Sequence, residues 1–356
     1  MSGSHQHKKN CSVGLSDELT LPSHIFAWSR LLVASVLVCL AWQVLAQAGS
    51  RPAQFYDSPQ TFFHSLGGSV PGGREAVPLK PANVLSLAAS TRYLLWVELE
   101  QGRLNLMENL GEDGIVVRKR IPVSIGKQGI GKRFEGDNKT PIGIYRVESF
   151  LADRDLDDFY GTGAYPLNYP NALDQLQAHT GHGIWLHGLP KFEKERPFLT
   201  SEGCVVIDND SLLALGDEVS AGTTVVLSND ELQWVPTTGQ ADQAASLQQA
   251  IAAWELAWES RNNEDYLSFY ADDFSDLQRN KAQWSAYKQK INAEKHFIDV
   301  EVSDVSMLTE PTLPSVVNVV FRQNYVSDNY RWQGEKQQLW RQDAQGWKII
   351  YEGDYF

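Results

Sequence analysis

The stretch GIWLHGLPKFEKERPFLTSEGCVVIDN, residues 183–209, decides how the chain is read. An apolar run, GIWL, ends at His187-Gly188; a polar loop follows, and Cys204 then stands between Gly203 and two valines. Free cysteine is commonly a small buried hydrophobe. A thiol at its ordinary pKa is also a weak nucleophile, so a catalytic cysteine requires a base or a positive neighbour. His187 is the candidate base, because a turn through Gly188 and Pro190 leaves its ring at a strand edge. Gly203 leaves the backbone before Cys204 unencumbered, so the Gly203 and Cys204 amides can aim at a developing oxyanion. Ser201 is near enough in sequence to add a hydroxyl. The Gly188 carbonyl is the first choice to orient the second nitrogen of His187.

Cysteine usage along the chain bears on the choice between a buried and a reactive thiol. Lys8, Lys9 and Arg30 precede the apolar run LLVASVLVCLAWQVLA, residues 31–46, which is closed by Ala46-Gln47-Ala48. Residues 1–48 therefore read as an N-terminal tail and export signal, with two outcomes open: cleavage after Ala48, or retention as a single membrane anchor. Either way the remainder belongs in the periplasm or cell envelope. Of the three cysteines, Cys11 lies in the tail and Cys39 in the apolar run, so Cys204 has no partner in the exported part. It cannot be half of a structural disulfide, and a leftover exported cysteine points to a reactive thiol.

The length of 356 residues implies several domains. A formal net charge of −13 argues against a nucleic-acid partner. Residues 49–88 are rich in Gly, Pro and Ser and read as a linker or small irregular segment. Residues 89–232 are β-rich: YLLWVEL, RLNLMEN, GIVVRKRIPVSIG and IGIYRVESFL are separated by turns, and SLLALGDEV after Asp208 has the form of a short capped helix. A compositional break at VPTTGQADQ, residues 235–243, opens a module at 242–356. There Leu247, Ile251, Trp254 and Trp258 recur at helical spacing, EDYLSFY follows as a second helix, and the tail alternates as strands.

His187-Gly188 followed by Ser201-Glu202-Gly203-Cys204-Val205 resembles the active-site signature of the L,D-transpeptidase catalytic domain, YkuD type. GDNKTPIGIYRV (136–147) is similar to a turn and strand that border the cleft in that family, and YPNALDQ (169–175) to a segment of the subgroup acting on peptidoglycan stems and attached lipoproteins. The resemblance implies a Cys204 nucleophile, a His187 base and acid, a Gly203 oxyanion amide, and Ser201, Tyr169 and Asn171 on the substrate side. It implies peptidoglycan stem peptides as partners, with a wall-attached lipoprotein as an alternative. The reaction implied is transpeptidation at the diamino acid–D-Ala bond of a tetrapeptide, through an acyl-enzyme. Many relatives carry arginine where this chain has Val206, which puts the acceptor in doubt. Glu202 disfavours a thiolate if turned inward, so it is expected to face solvent.

The C-terminal module resembles the NTF2-like cone fold, with a pocket lined by Trp254, Tyr266, Tyr270 and Tyr325, an unknown ligand and no evident acid–base pair. The expected architecture is thus multidomain, a mainly-β catalytic domain followed by an α+β cone. The two together resemble the cell-shape L,D-carboxypeptidases of helical bacteria, which makes water a rival acceptor. Lipoprotein release by an amidase, and a binding-only protein, remain as alternatives. His179, His182 and His187 lack the spacing of a zinc motif, so neither metal nor cofactor is expected.

Overall fold

The computed structural model describes residues 77–355; the tail read as an export signal, 1–48, and residues 49–76 lie outside them. The first half is built on strands β1 (Leu79–Pro81), β2 (Val84–Ser86), β3 (Tyr93–Glu98), β4 (Arg103–Asn109), β5 (Ile115–Pro122), β6 (Ile125–Gly126) and β7 (Gly143–Arg146). The run YLLWVE of β3 is apolar almost throughout because both of its faces are covered. Leu95 and Val97 enter the main core of this half, whereas Leu94 and Trp96 enter a second cluster on the opposite side. Such a strand belongs at the centre of a sheet, where burial on both faces favours continuous apolar runs.

The chain continues through β8 (Leu151–Ala152), β9 (Gly163–Pro166), helix α1 (Ala172–Leu176), β10 (Trp185–Gly188), β11 (Leu199–Ser201), β12 (Val205–Ile207), helix α2 (Asn209–Leu213), β13 (Thr224–Ser228) and β14 (Trp234–Pro236). β3 sits inside a five-stranded sheet of order β5-β4-β3-β13-β7, parallel to β13. A four-stranded sheet, β12-β10-β9-β8, lies across the same core, and a bridge between Ser124 and Val206 ties its edge to the chain just before β6. Asp208 caps α2 by accepting from the Ser211 N–H at 2.8 Å, as the sequence anticipates.

The second half comprises helices α3 (Ala241–Glu259), α4 (Asn263–Ser268) and α5 (Lys281–Ala293), then the long strands β15 (Ile298–Glu310), β16 (Leu313–Ser327), β17 (Arg331–Asp343) and β18 (Gly346–Asp354). Leu247, Ile251, Trp254 and Trp258 form the buried stripe of α3 against the sheet. Each such side chain contributes roughly 2 kcal/mol of transfer free energy.

Residues 79–86 correct the reading of 49–88 as irregular. β1 pairs with β14, and β2 adds a fifth strand to the far sheet, with Val84 opposite Leu308 and Ser86 opposite Met307. Pairing with strands more than 150 residues away leaves no local signature in a three-residue segment. The two halves share further apolar contacts. Leu308 joins Val84, Leu94 and Trp96 in one cluster, and Ala172 and Leu173 of α1 pack with Leu339, Ile350 and Tyr351. Glu310 at the end of β15 is fully buried and accepts from the Asn318 side-chain amide at 3.3 Å; burial holds its carboxyl up at about 8.

Candidate active site

β10 and β12 run parallel, with Leu186 opposite Val205 and His187 opposite Val206. Leu186, Val205 and Ile207 point into the core. Side chains alternate along a strand, so Trp185, His187, Cys204 and Val206 share the opposite face. Sheet pairing thus places His187 and Cys204, 17 positions apart in the chain, on one face of adjacent segments.

His187 is almost fully buried at 1% exposure. Its Nδ1 lies 2.8 Å from the Gly188 carbonyl, which can only accept, so Nδ1 carries the hydrogen and Nε2 presents a lone pair. The cover is aromatic. The Tyr160 ring stands edge-on at 5.2 Å from the imidazole and the Phe159 ring tilts at 6.0 Å, while Tyr160 also packs 4.8 Å from Trp185. Burial, opposed by the Gly188 hydrogen bond and aided by the positive charge of Arg196, brings the His187 pKa down to about 4.

Cys204 is half-buried, and its thiol donates to the Gly183 carbonyl at 3.4 Å. Burial pushes the thiol up from its ordinary value, against the opposing pull of the Trp185 N–H and the charges of Arg196 and Lys132. The pair therefore rests as neutral thiol and neutral imidazole. A preformed thiolate–imidazolium pair is not the ground state of this site.

The loop that carries the thiol is fixed by hydroxyls. Ser201 Oγ donates to the Cys204 carbonyl at 2.6 Å and accepts from the Gly203 N–H at 3.1 Å. Thr140 Oγ1 donates to the Gly203 carbonyl at 3.0 Å and accepts from the Gly126 N–H at 2.9 Å. Gly203 holds φ at +130°, and an added Cβ would lie 2.8 Å from the Lys139 carbonyl oxygen. Beneath it, Asp137 accepts from the N–H groups of Arg133, Phe134 and Lys139 at 2.8, 3.2 and 3.2 Å, and from Lys132 Nζ at 2.8 Å. Those donors outweigh burial and bring its carboxyl down to about 2.

Residues 92–227 match the model of the L,D-transpeptidase catalytic domain, and the His187 and Cys204 face lies within that span. The first half is an L,D-transpeptidase catalytic domain. Its family acts on peptidoglycan stem peptides. Residues 246–353 match the Cds6 C-terminal NTF2-like domain, so the chain holds both. Among solved structures, Bd1075 of Bdellovibrio bacteriovorus is 29% identical over 78% of this chain and 99% of that one, with a TM-score of 0.65. The helical cell shape determining protein Pgp2 from Campylobacter jejuni is 28% identical over 76% of this chain and 94% of that one, with a TM-score of 0.63. No curated protein sequence matches.

Several residues assigned to the site from sequence have other work in the L,D-transpeptidase domain. The Gly203 N–H is committed to Ser201 Oγ and is not free to hold an oxyanion; the Cys204 amide is the remaining candidate. Ser201 is 3% exposed and braces the loop, so it does not face substrate. Tyr169 and Asn171 are buried too. The Tyr169 hydroxyl donates to the Thr180 carbonyl at 3.1 Å, while the Asn171 side chain donates to the Ile144 carbonyl at 2.9 Å and accepts from the Asp174 N–H to cap α1. Both residues border a small cleft of about 240 Å³ where the two domains meet. Glu202 points outward and pairs with Lys127 at 3.0 Å. His179 pairs with Asp174, and His182 is solvent-exposed. Among the described residues no metal-binding cluster of His, Cys, Asp or Glu forms.

Sequence reasoning passed over Phe159, Tyr160, Arg196 and Lys132. The first two lie in a single 3-10 turn capped by Asp157, whose side chain accepts from the Phe159 N–H. An aromatic pair between turn residues was the available signal. In the NTF2-like domain the cavity, of about 1090 Å³, is lined by Tyr325 as expected, along with Trp258, Trp284 and Lys288. Trp254, Tyr266 and Tyr270 are core residues instead, joined through the Tyr270 hydroxyl to Glu352 at 2.8 Å. Lys288 lies over the Trp258 and Trp284 rings at 4.3 and 4.5 Å, and burial lowers its pKa to about 8.

Proposed function

We propose that the protein is an exported cell-wall enzyme that removes the terminal D-alanine from tetrapeptide stems, an L,D-carboxypeptidase working through a Cys204 thioester. The neutral pair defines the order of events. The thiol turns from Gly183 toward Nε2 of His187; as Sγ attacks the carbonyl carbon of the diamino acid, its proton passes to Nε2. The Cys204 N–H faces the oxyanion of the tetrahedral intermediate. The carbon–nitrogen bond then breaks, and Nε2 returns the proton to the leaving amine of D-alanine. Water, deprotonated by the same Nε2, attacks the thioester; the tripeptide leaves and the sulfur recovers its proton.

One observation favours water as acceptor: the chain matches a helical cell shape determining protein over 94% of that protein's length, catalytic and NTF2-like domains together. The family model itself favours the second reading, transpeptidation, in which an amine of another stem replaces water. The partition depends on whether an amine is held close enough to outrun abundant water.

The deciding experiment incubates the purified protein with tetrapeptide stems, with and without a competing amine, and weighs the products. Tripeptide and free D-alanine in both mixtures are expected, with Cys204→Ala inert. Amine-capped or cross-linked peptide as the main product would replace this reading with transpeptidation.

A further inference from the structure

Arg196 lies in the connection between β10 and β11. Its Nε donates to Thr200 Oγ1 at 2.8 Å and its Nη2 to the Thr200 carbonyl at 3.4 Å. Its guanidinium stands 5.5 Å over the Phe159 ring, the same ring that packs against His187. Nη1 is buried and has no hydrogen-bond partner, and among the described residues no carboxylate pairs with the group. The charge of Arg196 is felt at both His187 and Cys204. A cation fixed beside a catalytic pair with an unsatisfied N–H edge is costly unless an anion completes it.

The reaction proposed above brings such an anion. The leaving residue carries a free carboxylate, whose carbon lies no more than about 4 Å through bonds of ordinary length from the carbonyl under attack. A guanidinium is suited to that partner, because its planar fork matches a carboxylate's two oxygens. We propose that Arg196 is the specificity-determining residue that receives the terminal carboxylate of the stem peptide. The proposal rests on the D-alanine-releasing reading and adds a rule to it. The substrate must end, with a free carboxylate, at the residue directly after the diamino acid. A peptide one residue longer, or one ending in an amide, lacks the charge at that position. The positive charge then comes from the loop before Cys204, in a chain that carries Val206 where relatives place arginine.

The test compares cleavage of a tetrapeptide stem with that of the same stem ending in D-alaninamide, by wild type, Arg196→Met and Arg196→Lys. Wild type is expected to favour the free acid by roughly 100-fold in kcat/KM, the scale of a buried polar group left unpaired. Arg196→Met should lose that preference by slowing more on the acid, and Arg196→Lys should retain part of it. Cys204 alkylation should move to higher pH in Arg196→Met, which loses the charge, and barely move in Arg196→Lys, an effect that falls on both peptides alike. Equal cleavage of the two peptides by wild type would overturn the proposal while leaving the D-alanine-releasing reading intact. So would equal losses on both peptides in Arg196→Met, since that marks a role in tuning or bracing the pair. If Arg196→Met fails to fold, the wild-type preference and the Lys variant still decide. Wild type that cleaves neither peptide while its thiol still alkylates would remove the functional reading, and this one with it.

Discussion

Nδ1 of His187 lies 2.8 Å from the carbonyl oxygen of Gly188, its own neighbour in the chain. The contact sets the tautomer without a carboxylate, so the imidazole gains orientation but no counter-charge to favour its protonated form. Burial then dominates, and the ring stays neutral down to about pH 4. In the proposed mechanism the base is therefore available across the whole neutral range, and the thiol, raised by burial, ionises only as it attacks substrate.

His187→Gln should therefore reduce turnover by roughly 100-fold or more, the usual scale of a lost general base. The pH at which Cys204 alkylates should barely move, because the neutral ring contributes no charge to the thiolate. In the wild type, the acid limb of kcat/KM should fall near pH 4, where His187 takes up a proton, well below the ordinary histidine value. A rate profile measured from pH 3 to 9, beside iodoacetamide kinetics, checks both.

Asp137 and Lys132 form a buried ion pair, each side chain 4% exposed. Asp137→Asn leaves Lys132 as an uncompensated buried cation and should cost roughly 3 kcal/mol at neutral pH. Because the folded carboxyl titrates at about 2, below its ordinary value, the stability it supplies is complete above that ordinary value and is lost as pH falls toward 2. Urea titrations at pH 7 and pH 2.5 should show the gap between wild type and variant narrowing at the lower pH.

Gly203→Ala should impair catalysis more than folding. A methyl there meets the Lys139 carbonyl at 2.8 Å and Ile184 Cδ1 at 2.9 Å, at a φ of +130° that side chains rarely adopt. Relief requires the loop to shift, which breaks the Ser201 and Thr140 hydrogen bonds that aim Cys204. A fall in the Cys204 alkylation rate with a loss of roughly 1–3 kcal/mol in stability is expected, read by thiol labelling and chemical denaturation.

Removal of residues 240–356 should leave the catalytic domain insoluble. It strips β2 of its sheet partner and exposes Val84, Leu94, Trp96 and Leu173 to water. Exposed apolar patches of that kind promote aggregation. Sedimentation and circular dichroism of the truncated chain would show it, and a soluble, folded fragment would argue that the seam is dispensable.

The sequence by itself determined the two-domain plan and singled out His187 and Cys204 as the candidate pair. The spacing of His187-Gly188 and Ser201-x-Gly203-Cys204 marks a strand edge and a glycine-bearing loop, and the stripe from Leu247 to Trp258 marks a helix, because each pattern is set by local backbone geometry. Tertiary structure alone decided the charge states and the division of labour. His187 is neutral because Phe159 and Tyr160, far from it in sequence, close over its ring. Gly203 lost its oxyanion role because the Ser201 hydroxyl reached its N–H first. β2 became part of a sheet whose other strands begin at residue 298. Burial, hydrogen-bond competition and long-range pairing depend on which distant segments meet, and a linear pattern with a period of two or 3.6 residues carries no record of that meeting.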